Sequence, residues 1–271
     1  MARRRKKASL GAGQIVLISL ALLLIIIFIG FGIFLGLNRE ETKTLDKLTL
    51  CPIDGPEHFV SVLLDATDGI SETTRLKIQK KLIEEKEKLK QFEQLAFYLI
   101  DESGLSKAPT SIICNPGSLS DYGKLVVEGI TANPKFIEMR EKAFDKKVKE
   151  SINNLLEGDF ESRQSPLLAA VQKISLMIPD KKSGKNKIIL ISDLLEHTEV
   201  FSVYSSNLDM KAFSKSRAEE KFGADLSNYD LHIWLIQRER FEENNLMAFW
   251  ARILKPLMNT EVNFVLLPGE E

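Results

Sequence analysis

Two aspartates, a threonine and a serine are the residues of this chain whose types could do chemistry together. Asp65 and Thr67 lie in FVSVLLDATDGIS (59–71), Ser165 stands immediately before Pro166, and Asp193 follows KIILIS (187–192). Carboxylate and hydroxyl oxygens are the ligands that a hard cation such as Mg²⁺ prefers, with water filling the remaining positions, and such an ion can take a partner's carboxylate directly. Asp68 and Ser71, in the same loop as Asp65, offer further oxygens. Asp65, Asp68 and Asp193 could instead hold one or two metals for phosphoester hydrolysis. The plain alternative is structural: aspartate commonly ends a strand or makes a turn, and a serine before proline needs no ligand to explain it.

The elements around these residues decide whether they can meet. Five of the first six residues from Phe59 are apolar, as in a strand buried on both faces, and the run stops at Asp65 before a charged helix. The run 187–192 has the same character and stops at Asp193. In open α/β sheets ligands bind outside the carboxyl ends of strands, so two acid-tipped strands define one candidate rim. Between and after them the pattern predicts a helix from a Ser71 cap to Phe92, with Leu76, Leu82, Ile83 and Leu89 as its apolar stripe. Strands follow over 93–101 and 111–114, then a helix over 136–157. Ser165 is expected to cap a helix carrying Pro166 in its first turn. A helix over 210–222, a strand over 231–236, a helix over 241–257 and a strand over 262–267 complete the chain. Alternation of this kind predicts an α/β fold with a mostly parallel, doubly wound sheet and helices on both faces.

These residues resemble those of the von Willebrand factor A-type domain, the integrin inserted-domain fold. Its adhesion site uses D-x-S/T-x-S after the first strand, a threonine in a later loop and an aspartate after a central strand. Asp65 and Thr67 match the first two positions, Ser165 stands for the later threonine and Asp193 for the last aspartate. Gly69 departs from the third position and removes one hydroxyl, with Asp68 and Ser71 as candidates to compensate. The likeness covers roughly residues 59–267. It implies Mg²⁺ held by Asp65, Thr67, Ser165 and Asp193 and a protein partner bound through that ion. A degenerate, metal-free binding surface on the same rim stays open beside it. The lead-in CP, the DxTD, the CNPG at 114–117, the SPLL and the later FW also resemble a group of single-span bacterial proteins that carry this domain outside the membrane.

Residues 15–37 hold no charge and only Ser19 as a polar side chain. At about 1.5 Å per residue such a helix reaches roughly 35 Å, enough to cross a bilayer. No small-x-small cleavage pattern follows in NREETK, so the segment reads as an uncleaved anchor rather than a signal peptide. Arg3, Arg4, Arg5, Lys6 and Lys7 precede it without an acid, which predicts a cytoplasmic N-terminus and an exported body in the inner membrane of a bacterium. The expected organisation is a basic tail (1–14), a membrane helix (15–37), a linker and lead-in (38–58) and a domain (59–271). Gly32 and Gly36 form a GxxxG pair that could bring two helices together as a homodimer.

Removing the five basic residues of the tail from 37 Lys and Arg leaves 32 against 38 Asp and Glu. A mildly acidic body argues against a nucleic-acid surface. Cys51 and Cys114 are the two cysteines, an even number that predicts a disulfide in an oxidising compartment, with two free thiols as the alternative. Neither CxxC nor HExxH, GxSxG or a P-loop occurs, so zinc, nucleophilic-hydrolase and nucleotide chemistry lack a motif. His197 lies close enough to Asp193 in sequence to line the rim. The expected function is a membrane-anchored module that binds a protein partner in the cell envelope and is not an enzyme. The alternatives are a structural subunit of an envelope complex and a metal-dependent phosphoesterase.

Overall fold

The computed structural model describes residues 12–37, 43–122, 133–158, 161–178, 185–259, 261–267 and 269. The basic cluster Arg3 to Lys7 lies outside them. The first helix, α1 (Ala12–Leu37), contains the span Val16–Phe34, long and apolar enough to cross a membrane, with none of that span buried. Gly32 and Gly36 both lie on this helix, and Gly32 has open space where a Cβ would point.

The body is a seven-stranded sheet wrapped by helices. Its strands are β1 (Phe59–Asp65), β2 (Gln94–Asp101), β3 (Gly104–Leu105), β4 (Ser111–Cys114), β5 (Asn186–Ser192), β6 (Tyr229–Ile236) and β7 (Asn263–Leu267). They run in the order β3-β2-β1-β5-β6-β7, with β4 also paired to β2. The β1–β2, β1–β5, β5–β6 and β6–β7 pairs are parallel, and β3 and β4 join β2 antiparallel at one edge. From β1 the chain moves outward to β2, then returns to place β5 on the other side of β1. That reversal is where an α/β sheet opens a crevice at its carboxyl edge.

Alternation along the strands feeds two cores. Leu63, Ile188, Leu190, Leu231 and Ile233 point to one face, packed under α4 (Leu167–Met177) and α8 (Glu243–Leu254). Val62, Leu64, Ile189, Ile191 and Trp234 point to the other, under α2 (Glu72–Glu87) and α3 (Pro134–Leu156). Every residue of β1 is buried, as its apolar composition predicts. Three short helices, α5 (Val203–Ser206), α6 (Met210–Ser216) and α7 (Ala218–Phe222), lie between β5 and β6.

Several boundaries differ from the sequence-based expectations for local reasons. Ser71 does cap α2 by accepting the Thr74 N–H, but the helix buries Thr74, Ile78 and Leu82, one residue per turn on an i, i+4 row. Leu76 and Ile83 of the expected stripe are 57% and 39% exposed. The helix expected over 210–222 is broken at Arg217, whose φ of 59° is left-handed backbone that no helix interior accepts. Ser165 is not a helix cap, because Pro166 occupies that position and the Ser165 backbone pairs with His197 on both sides, N to O at 2.9 Å and O to N at 3.0 Å.

The lead-in is bonded to the sheet. Cys51 and Cys114 form a disulfide across a sequence separation of 63, and the Cys114 N–H donates to the Thr49 carbonyl at 2.9 Å. Asp46 gathers the Leu48 and Thr49 N–H groups and the Thr49 hydroxyl on one oxygen, which holds its carboxyl below the usual range. The disulfide therefore ties the lead-in around Cys51 to the β4 edge.

Candidate functional site: an acidic rim with a resident guanidinium

Asp65 is the last residue of β1 and is 5% exposed. A carboxylate there must be satisfied from within, and four donors converge on it. Oδ1 accepts from the Thr67 N–H at 3.1 Å and the Thr67 hydroxyl at 2.6 Å. Oδ2 accepts from the Ser192 hydroxyl at 2.6 Å and the Ser165 hydroxyl at 3.4 Å. Three of the four residues expected at the site thus meet on one carboxyl group. Ser165 reaches it because its backbone is fixed in the bridge to His197, and the loop before it is held by the Ser162 N–H on the Thr67 carbonyl at 2.8 Å. Burial pushes the Asp65 carboxyl up, against the pull of the Ser192 and Thr67 hydrogen bonds.

Asp193, the fourth expected residue, follows β5 directly beside β1. Its Oδ1 accepts the Leu195 N–H at 3.1 Å and its Oδ2 takes the Arg238 Nε at 3.1 Å. Burial first, and then the neighbouring negative charge of Asp65, raise its pKa to about 7; the Leu195 N–H and Arg238 pull the other way. The turn between them is unusual for a leucine. Leu194 holds a φ of 61°, with its N–H on the Ser192 hydroxyl at 2.9 Å and its carbonyl on the Trp250 indole at 2.8 Å. A left-handed leucine persists only where its surroundings fix it, and here a hydroxyl and an indole do so.

Asp68 and Ser71 part company. Asp68 is exposed and lines, with Gly69, Asp193, Leu195, Tyr204, Arg238, Glu239 and Arg240, an open cavity of about 420 Å³ over the rim. Ser71 stays with its helix cap and the Thr74 hydroxyl. His197 does not line the cavity; its Nδ1 bonds the Ser202 hydroxyl at 2.8 Å and its ring meets Tyr204 edge-on at 5.4 Å. Tyr204 in turn supports Arg240, whose guanidinium sits 4.4 Å from the ring centre.

Three participants were not singled out in the sequence. Ser192 sits one residue before Asp193, and a hydroxyl ending a buried strand was the available signal. Glu196 is fully buried and accepts the Leu168 N–H at the start of α4 at 2.9 Å and the Thr198 hydroxyl at 3.2 Å. Burial raises its pKa to about 7. Arg238 follows β6, the neighbour of β5, so the strand order carries it to the same rim. Its Nη2 donates to the Gly69 carbonyl at 2.7 Å while its Nε holds Asp193.

The oxygens of Asp65, Thr67, Ser165 and Asp193 suit a hard cation by type. Their arrangement does not fit one. Both oxygens of Asp65 already accept from hydroxyls and an amide, Gly69 offers no side-chain oxygen, and the charge-bearing face of Asp193 is covered by a guanidinium. Among the described residues no group of three or more His, Cys, Asp or Glu could hold a metal ion.

No protein-family model matches the chain, and no curated protein matches it. Among solved structures it is similar to the von Willebrand A domain of SpRpn10, at 9% identity and a TM-score of 0.41, covering 79% of this chain and 89% of that one. It is also similar to BatB from Bacteroides thetaiotaomicron, at 13% identity and a TM-score of 0.38, covering 79% and 91%. An aerotolerance-related membrane protein from Bacteroides fragilis aligns at 13% identity and a TM-score of 0.35, covering 77% and 91%. Identities and scores this low transfer no residue role, and the rim stands on this chain's own atoms. The body is an α/β domain of doubly wound, mostly parallel topology, and the solved structures it is similar to include von Willebrand factor A domains.

Proposed function

We propose that this chain is a membrane-anchored binding module whose working face is the rim at the carboxyl ends of β1, β5 and β6. On this reading α1 crosses the membrane with the basic tail in the cytoplasm, and the body stands outside it in the cell envelope. The positive charge before α1 supports that orientation, and the Cys51–Cys114 disulfide suits an oxidising compartment. The observation that carries the binding role is the cavity over the rim. Its exposed side chains are Asp68, Glu239 and Arg240, with Tyr204 half-buried among them, a mixed-charge surface resting on a buried base. Charged groups held on such a base suit a protein partner of complementary charge.

A binding role is favoured over a hydrolytic one by how the three acids are used. Asp65 and Asp193 are both engaged by fixed donors, which leaves Asp68 alone of the three in solvent. Neither buried acid is free to activate water or hold a phosphoester. The reading is tested by recovering the full chain with its crosslinked neighbour from intact membranes. Wild type should retain a discrete protein adduct with and without EDTA, and Asp68→Lys should lose most of it at unchanged expression and melting temperature. Equal capture by wild type and Asp68→Lys would remove the rim from the account.

A further inference from the structure

Among the described residues, Arg238 is the cationic side chain that pairs with the buried acids of the rim. Arg238 is held at two points, Nε on Asp193 Oδ2 at 3.1 Å and Nη2 on the Gly69 carbonyl at 2.7 Å, and its side chain is 22% exposed. The two anchors lie in different loops, one after β5 and one after β1, so the guanidinium, carried by the end of β6, bridges the other two strands whose ends form the rim. Gly69 is also the position at which the D-x-S/T-x-S pattern loses its last hydroxyl. The backbone carbonyl at that point faces a nitrogen donor instead of a cation-binding oxygen facing an ion.

We propose that Arg238 is the resident cation of this rim and stands in place of a divalent ion, so that the native chain engages its partner without metal. The charge logic supports this. Two carboxylates buried on neighbouring strands need a positive charge nearby or must take up a proton. A guanidinium is never deprotonated in water and offers a planar fork that can hold a carboxylate and a carbonyl together. Its charge is present at every working pH, where a bound ion would come and go with its concentration. Glu239 and Arg240, the next two residues, are exposed and line the same cavity, so the strand that supplies the cation also supplies the accessible charges beside it. The inference concerns the same rim and rests on the proposed function for its biological meaning. The test below uses no partner, so its failure and the failure of the binding role are separable.

The experiment titrates Mn²⁺ into the full chain in detergent micelles and follows the free-ion electron paramagnetic resonance signal. Wild type, Arg238→Ala and the double variant Gly69→Ser/Arg238→Ala are compared. Gly69 has open space where a Cβ would point, so the serine can be accommodated. Wild type should leave Mn²⁺ free in solution. Arg238→Ala should bind it about tenfold or more tighter than wild type, the ratio made by a difference of about 1.4 kcal/mol, and the double variant tighter again. Adding Asp193→Asn to the double variant should abolish the gain, which ties it to the rim. A thermal melt of each variant confirms folding, and Arg238→Gln, which keeps a side chain and hydrogen-bond donors over Asp193, is a second neutral variant should Arg238→Ala fail to fold. Mn²⁺ binding by wild type equal to that of the variants overturns the proposal, as does the absence of binding in every folded variant.

Discussion

Glu196 shows what burial does to a single side chain at this rim. It has no exposed surface, and its two oxygens face one amide and one hydroxyl. Its pKa lies at about 7, and that of Asp193 likewise, burial being the first cause for each. A carboxyl whose pKa is higher in the folded state binds more protons there than in the unfolded chain. Its contribution to stability is therefore complete below the ordinary carboxylate range and is lost as pH rises through about 7. The full chain should melt at a higher temperature at pH 5 than at pH 8, with a loss of about 1–3 kcal/mol for each of the two carboxyls across that window. Glu196→Gln, a neutral mimic of the protonated acid, should make the profile shallower, with Asp193 carrying what remains. A melting temperature that climbs from pH 5 to 8 in wild type would contradict this. Glu196 was invisible in the sequence because a glutamate in DLLEHTE looks like any loop acid; only the buried start of α4 beneath it gives it meaning.

Elements carry the next level of the account. The two buried strand runs ending in Asp65 and Asp193 were legible because apolar, β-branched residues continued without polar interruption up to an acid. Their adjacency was legible too, from the alternation of strands and helices. What could not be read was the exact path of the loops. Ser165 was expected as a cap and is instead paired through its backbone with His197, which frees its hydroxyl to reach Asp65. The α2 stripe was half right, with Leu82 and Leu89 buried and Leu76 and Ile83 exposed, because a helix rich in Lys and Glu offers several apolar rows and packing on α3 selects the row of Ile78 and Leu82. The disulfide belongs at this scale as well. It joins the lead-in to β4 and closes a long loop, so the double variant Cys51→Ser/Cys114→Ser should lose about 2–4 kcal/mol in urea denaturation. The rim lies at the opposite ends of the strands, so Asp193 and Arg238 should keep their pairing in that variant. An unchanged urea midpoint would contradict a stabilising role for the bond.

At the scale of the whole molecule the chain divides its tasks. The helix α1 is long and apolar enough to cross a membrane, the disulfide ties the lead-in to the sheet, and the sheet's carboxyl edge presents a charged cavity. Fold class was readable from the pattern of elements, while Arg238 was not. The residue follows a strong strand, but nothing in LHIWLIQRER distinguishes it from Arg240 two positions on. Strand order decides the matter: β6 lies beside β5, and the first arginine beyond it turns onto Asp193 while the second stacks on Tyr204.

The most direct measurement places a photo-crosslinking amino acid at Glu239, over the rim, and separately at Lys90, in the turn that leads into the amino end of β2, and irradiates intact membranes. The account predicts a discrete protein adduct from position 239 that disappears when Arg240→Glu is added, and none from position 90. An adduct from position 90 alone, or one from position 239 that survives the charge reversal, would contradict it.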